Sequence, residues 1–149
     1  MNLDPEIIDI LKNQKAAALG TIMDGNPYIS AIGYIYEPPV SPSFPGHIYF
    51  LLSDIAQHTR NLKQHPNVSL LITALVSGDT PIHETHRMTL QGRVDIVASY
   101  EEFLSLKAQY LAIYPRTEVL FELPDFRFYQ LTIHELYWIG GFGKAKIYK

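Results

Sequence analysis

A chain of 149 residues has room for one hydrophobic core of ordinary size, which excludes a two-domain protein. Its 47% hydrophobic and 18% charged residues suffice for a self-supporting globule and exclude intrinsic disorder. The balance of 12 Lys and Arg against 15 Asp and Glu, a net charge of −3, removes the main support for a nucleic-acid-coating role, and the absence of cysteine excludes disulfides and thiolate chemistry.

The opening LDPEIIDILKN predicts a short helix, with Asp4 as cap, Pro5 in the first helical position and Leu3 and Ile8 spaced as a hydrophobic staple. AAALGTIM and PYISAIGYIYE are apolar, β-branched and tyrosine-rich runs separated by Asp24-Gly25-Asn26, the pattern of a hairpin with a tight turn. Pro38, Pro39, Pro42, Pro45 and Gly46 break any continuous ladder and predict a loop. HIYFLLS resumes as a strand. Asp54 to Gln57 has the spacing of a capping box, and Ile55, Thr59 and Leu62 give the following helix a buried stripe that Pro66 ends.

VSLLITALV, bounded by Pro66 and Gly78, is a continuous apolar strand. Between Arg87 and Val97, Met88, Leu90, Val94 and Ile96 alternate with polar residues, with Gly92 placed as a bulge or close-approach point. Ser99 and Glu102 form a capping box for a helix whose stripe is Tyr100, Phe103, Leu104, Leu111 and Tyr114. FRFYQL and LYWIG predict two strands, after which GGFGKAKIYK leaves little chain for another element. No run of about 20 apolar residues crosses a membrane, and the acidic first helix is unlike a secretory leader, so a cytoplasmic protein is expected. The tally is six or more short strands, mainly β and mostly antiparallel, which favours a barrel with peripheral helices in a single domain spanning 1–149.

Three segments offer ligand chemistry. The strand-to-helix corner LLSDIAQHTRNL presents unpaired helix N–H groups beside Ser53, Gln57, His58, Thr59 and Arg60, donors suited to an anion, although the same residues serve a solvated surface helix. Ser30, Ala31 and Gly33 lower the profile of a bulky strand, as a flat ring or a tight barrel corner requires. Arg87 lies on the polar side of its strand, facing either a phosphate or water. The tail Gly140 to Lys144 lacks the spacing of a nucleotide-binding loop. His83-Glu84-Thr85-His86 is not H-E-x-x-H and has no third ligand nearby, so no metal site is assigned.

Taken in order, LLSDIAQHTRNLKQHPNVSLLI, RMTLQGRV and DFRFYQL with WIGGFGKA resemble the pyridoxamine 5′-phosphate oxidase-like FMN-binding split-barrel superfamily, and within it the branch related to haem-utilisation proteins. The resemblance implies a homodimer of six-stranded antiparallel split β-barrels with FMN in clefts between the protomers. By position it implies that His58 holds the cofactor phosphate with Ser53 and Arg60 beside it, and that Arg87 faces the flavin; Gln57 and Thr59, donors of the same corner, are counted with the cofactor site. It further implies that Ser30, Ala31, Ile32 and Gly33 run along the ring, and that Trp138 with Gly141, Phe142, Gly143 and Lys144 reaches the partner's cofactor.

The chain ends KAKIYK where oxidases of pyridoxamine phosphate carry an R-L-H-D-R type motif, so that vitamin is not the expected substrate. Nor do 149 residues contain the additional C-terminal domain usual in haem-degrading relatives. The expected function is an FMN-dependent oxidoreductase acting on an unassigned small molecule. The alternatives are a non-enzymatic FMN or haem binding module and a haem-degrading protein. No general acid or base stands beside the ring segment, and no catalytic residue is assigned.

Overall fold

The computed structural model describes residues 3–41, 44–74 and 78–149. Pro42 of the proline loop and Leu75 and Val76 of the apolar run lie outside the described residues. Among the described residues the order is α1 (Pro5–Asn13), β1 (Ala16–Met23), β2 (Asn26–Gly33), β3 (Ile35–Glu37), β4 (His47–Ser53), α2 (Gln57–Gln64), β5 (Asn67–Thr73), β6 (His86–Ile96), α3 (Tyr100–Ile113), β7 (Phe126–Gly140) and β8 (Ala145–Tyr148). Short 3-10 turns occupy Ile82–Glu84 and Pro115–Glu122.

Every strand pair is antiparallel. The order across the sheet is β2-β1-β5-β6-β7-β4-β3, with β8 added to β7. Because β2 leads directly into β3 through Tyr34, the two ends of this path are joined and the sheet curls into a split barrel. Leu19, Phe50, Leu70, Ile72, Leu90 and Leu131 are among the side chains that fill its inside, and Ile7 and Leu11 of α1 join the same core.

Local chemistry explains most boundaries. The Asp4 carboxylate accepts from the Glu6 N–H, with Pro5 opening the helix. Asp24 and Gly25 both have positive φ, 50° and 78°, the conformation of a two-residue turn whose twist matches the paired strands. Ser99 Oγ accepts from the Glu102 N–H at the start of α3. The predicted box at Asp54 does not form. α2 begins at Gln57 behind Ala56 with no side-chain cap, because Lys63 and Arg127 engage the Asp54 carboxylate instead.

Three further expectations are corrected. FRFYQL and LYWIG belong to one strand of 15 residues, β7, and the tail folds back as β8, giving eight strands among the described residues, within the tally of six or more and beyond the six that the resemblance implies. Ile96, the last residue of β6, is paired with Tyr129 yet is exposed. In α3 the buried side chains are Leu106 and Tyr110, while Tyr100 and Leu104 face solvent. That helix has only one side to bury, and its tyrosine-rich composition hides which side it is.

The bulge between β6 and β7 governs the register. Gln91 pairs with Glu135 and Gly92 with Ile133, so His134 is the extra residue. A Cβ on Gly92 lies 2.0 Å from the Thr132 carbonyl oxygen, far inside any permitted contact, so only glycine fits this crossing. Gly92→Ala is expected to destabilise the fold by about 2 kcal/mol or more through forced backbone movement. Urea unfolding of the purified variant measures this, and an unchanged midpoint contradicts the steric account.

Candidate functional site

The two sides of the sheet have different fates. On the outer side, α3 covers β3, β4 and the first half of β7, where Leu106, Tyr110, Ile35, Tyr49, Leu51 and Phe128 form a second apolar cluster. The Tyr114 hydroxyl, shared between the carbonyls of Lys15 (2.6 Å) and Tyr34 (2.7 Å), fastens the helix end to the barrel. Beyond the Gly33 end of β2, which Tyr110 and Tyr114 reach, no helix among the described residues covers the outer side of β2, β1, β5, β6 and the second half of β7.

Register defines what this bare surface displays. One row crosses it as Ile29, Gly20, Ser69, Gln91 and Glu135, and the next as Ala31, Ala18, Leu71, Thr89, Tyr137 and Ile147. Gly20 and the alanines keep the floor low, whereas Ile29, 73% exposed, Leu71 and Ile147 present apolar side chains to solvent. A groove of about 520 Å³ lies here, lined mainly by Gly20, Ile22, Pro27, Ile29, Asn67, Ser69, Gln91, His134 and Glu135. That volume is in the range of small-molecule sites, roughly 300–1,000 Å³.

The β7 bulge contributes an unusual edge to this groove. Between the buried Ile133 and Leu136, two consecutive residues, His134 and Glu135, turn outward, as a bulge permits and a regular strand forbids. Glu135 is held by a short hydrogen bond from the Tyr137 hydroxyl. Gln91 donates to Ser69 at 3.4 Å. The His134 imidazole has no hydrogen-bond partner among the described residues and is exposed.

The residues predicted to surround one cofactor are divided between surfaces. Ala31 and Gly33 lie on the outer side, while Ser30 and Ile32 point inward, Ile32 as part of the core. Trp138 also points inward, buried, with its ring edge against His86. Arg87 donates to the carbonyls of Ile82 (2.6 Å) and Thr85 (3.0 Å) and so braces the 3-10 turn. Gly141, Phe142, Gly143 and Lys144 form the turn between β7 and β8, with Phe142 and Lys144 in solvent.

Ser53, Gln57, His58, Thr59 and Arg60 gather at the other end of the barrel. Ser53 pairs with Phe126 at the start of β7, whereas Arg87 is beside Ile139 near its finish. Within one chain the corner and the Arg87 end do not form a common site. At the corner, Ser53 Oγ donates to Asp125 (2.5 Å), and Gln57 donates to Asn61 (2.7 Å), whose amide donates to Thr21 (3.1 Å). Arg60 is exposed, and burial holds the half-buried His58 imidazole below its ordinary pKa, hence neutral at pH 7 until an anion joins it.

One group at the corner is unsatisfied. Thr59 is fully buried and its Oγ1 has no hydrogen-bond partner, as is also true of Ser30 Oγ. Thr59 stands in the first turn of a helix without a side-chain cap, where donors to an incoming anion are concentrated.

Comparison with known proteins places these features in a lineage. Residues 8–148 match the family model of the CREG β-barrel. The chain belongs to this family. It is 30% identical over 150 aligned positions to the haem oxygenase HutZ of Vibrio cholerae, covering 96% of this chain and 79% of that protein. The crystal structure of HutZ, described there as a haem storage protein, superposes with a TM-score of 0.74 at 24% identity, covering 90% of this chain and 92% of the other.

A haem-binding protein from Mycobacterium smegmatis shares the fold with a TM-score of 0.81 and 24% identity, over 99% of this chain. This chain spans only 59% of that protein's length. A putative pyridoxamine 5′-phosphate oxidase from Listeria innocua shares it at 0.69 and 12% identity, over 91% and 97% of the two chains. The split barrel expected from the sequence and the relation to the haem-utilisation branch are both shown. No helix among the described residues is long and apolar enough to cross a membrane.

From the sequence His134 is only a histidine without a partner nearby, and Glu135 is not singled out. The signal is Ile133-His134-Glu135-Leu136, two polar residues between two apolar ones, which breaks the alternation of a single strand. Treating FRFYQL and LYWIG as separate strands placed that break in a loop.

The unsatisfied hydroxyl generates a test. Thr59→Val keeps the shape and removes the buried donor, so the ligand-free protein should gain about 1 kcal/mol of stability. Chemical denaturation measures it, and a loss of stability contradicts the assignment of an unpartnered hydroxyl.

Proposed function

We propose that this protein binds haem on the bare outer side of its barrel, with a second copy of the chain covering the rest of that surface. The observation that carries the reading is the low apolar floor of Gly20, Ala18 and Ala31, open to solvent between Ile29 and Leu71. A flat macrocycle makes close contact only where side chains do not project. Exposed aliphatic residues on the same surface are normally covered by a ligand or a partner. The relation to HutZ, named for both haem oxygenation and haem storage, supports haem as the planar group.

The fit lies in the donor set as well as the shape. Ile22, Pro27 and Ile29 supply apolar contact, and Asn67 and His134 supply polar atoms at the rim. Bound haem supplies an iron centre whose properties follow from its axial ligand and its surroundings. The chain's own contribution is to hold the porphyrin flat, shield it from water and, through the second copy, enclose it.

FMN is the second reading, favoured by one observation. The uncapped start of α2, with free helix N–H groups beside His58 and the exposed Arg60, suits a phosphate. In this reading Ser53, Gln57, His58 and Arg60 surround the phosphate, and the protein orients a flavin that performs redox chemistry on an unidentified small molecule.

Parallel titrations with hemin and FMN separate the readings. Hemin is expected to give a shifted Soret band that saturates, and sedimentation is expected to show a dimer. Quenched FMN fluorescence together with an unshifted hemin spectrum replaces the haem reading with the flavin one.

A further inference from the structure

We propose that His86 and Glu6 form a proton-operated latch, which holds the start of α1 against the end of the sheet in weak acid and loosens as the pH rises. The latch acts whichever cofactor the protein binds.

The histidine side of the latch is fixed. Arg87 donates to the carbonyls of Ile82 and Thr85, and Thr85 Oγ1 donates to that of Pro81, so the 3-10 turn just before His86 is braced. His86 itself pairs with Gly140, and its carbonyl accepts from the Ala74 N–H. Its ring stands edge-on to Trp138 with the centroids 5.6 Å apart. Nε2 faces the glycine turn, where a Cβ on Gly141 would lie 3.4 Å away. The imidazole is thus held between an indole and a bare backbone.

The glutamate side is free to move. The body of α1 is anchored by the buried Ile7, Ile10 and Leu11, and the Tyr34 hydroxyl bonds to the carbonyls of Ile10 and Leu11. The residues before Ile7 are held by less. Leu3 is only partly buried, the Asp4 N–H donates to the Tyr148 hydroxyl at 3.3 Å, and the half-exposed Glu6 accepts from His86 Nδ1 at 2.6 Å. A segment with so few buried contacts is the first to open. Leu3, Asp4 and Pro5 also form one wall of a groove of about 450 Å³, with Gly143 to Lys146 opposite and Trp138 and Tyr148 below. Loosening Glu6 frees that wall.

The sign of the response follows from the two charges. A carboxylate is ionised above about pH 5 and an imidazole is charged below about pH 6, so in that window the contact is an ion pair. Towards pH 8 the imidazole gives up its proton, and the contact falls to an ordinary hydrogen bond of about half the strength. The other ionisable side chains on the elements packed around His86 are Asp4 and Asp9 on α1, His83 and Glu84 in the 3-10 turn, Arg87 on β6, and Lys144 and Lys146 beyond the glycines. Asp4 caps its helix, and Lys146 lies over the Tyr148 ring. Among the described residues Glu6 is the ion-pair partner of His86, and none of these others is.

Trp138 is the single tryptophan of the chain, so its emission reports on the imidazole beside it and its quenching by acrylamide reports on the groove. For the full chain, quenching should rise by about 1.4-fold to fivefold from pH 5.5 to pH 8, the population shift that an exposed ion pair can drive. His86→Gln should show the higher quenching at both pH values and no titration of the emission. Glu6→Gln should also be quenched strongly at both. Because it keeps His86, its emission should still titrate, with a midpoint lower by a few tenths of a pH unit.

Quenching in the parent that is the same at pH 5.5 and pH 8 overturns the latch. A Glu6→Gln protein that keeps the parent's pH-dependent quenching overturns it as well, since the response then belongs to the imidazole without the carboxylate. Glu6 is half-exposed, so this variant decides the matter even where His86→Gln does not fold.

Discussion

Where β6 crosses β7, there is no space for a Cβ at position 92, and much of the structure follows from that contact. With Gly92 lying against the Thr132 carbonyl, the two long strands stay hydrogen-bonded through a one-residue slip. The slip lets Leu131 and Ile133 on one side of it, and Leu136 and Trp138 on the other, all enter the same core. Without it, a strand of 15 residues would present one half of its apolar residues to solvent, because successive side chains alternate.

The same slip shapes the outer surface. α3, tied down by the Tyr114 hydroxyl, closes one half of that side with aromatic packing around Phe128. The other half keeps small residues on β1 and β2 and a polar rim on β6 and β7. The barrel fills its interior with its own side chains, so small residues on β1 and β2 leave their low floor on the outer side. The α2 corner at the far end of the barrel is chemically different, with helix N–H groups left without a side-chain cap.

Much of this was legible in the sequence because it is encoded locally. Asp4-Pro5 and Asp24-Gly25 mark their elements through contacts within a few residues and form as read, and of the Ser99-Glu102 box the Ser99 cap forms while the Glu102 carboxylate accepts from Tyr49 instead. Gly92 stood out as the glycine in an alternating strand, and it is the close-approach point opposite the β7 bulge. The Asp54 box failed because its carboxylate is claimed by Arg127, distant in sequence. Ile32 and Trp138 were assigned to a ligand surface, but strand pairing turns both inward. Which side of a strand faces the core depends on long-range register, so the site was less legible than the fold. The outward pair His134 and Glu135 was hidden for the same reason, since its meaning depends on β6.

The central claim is that the bare outer side of β1 and β2 carries the cofactor. Anomalous diffraction at the iron edge from crystals grown with hemin tests it most directly. The account predicts a single strong peak above the outer side of the sheet, near Gly20 and Ser69, at the boundary between two copies of the chain. A peak at the α2 corner, or well-ordered crystals with a second copy packed directly onto an empty floor, contradicts it.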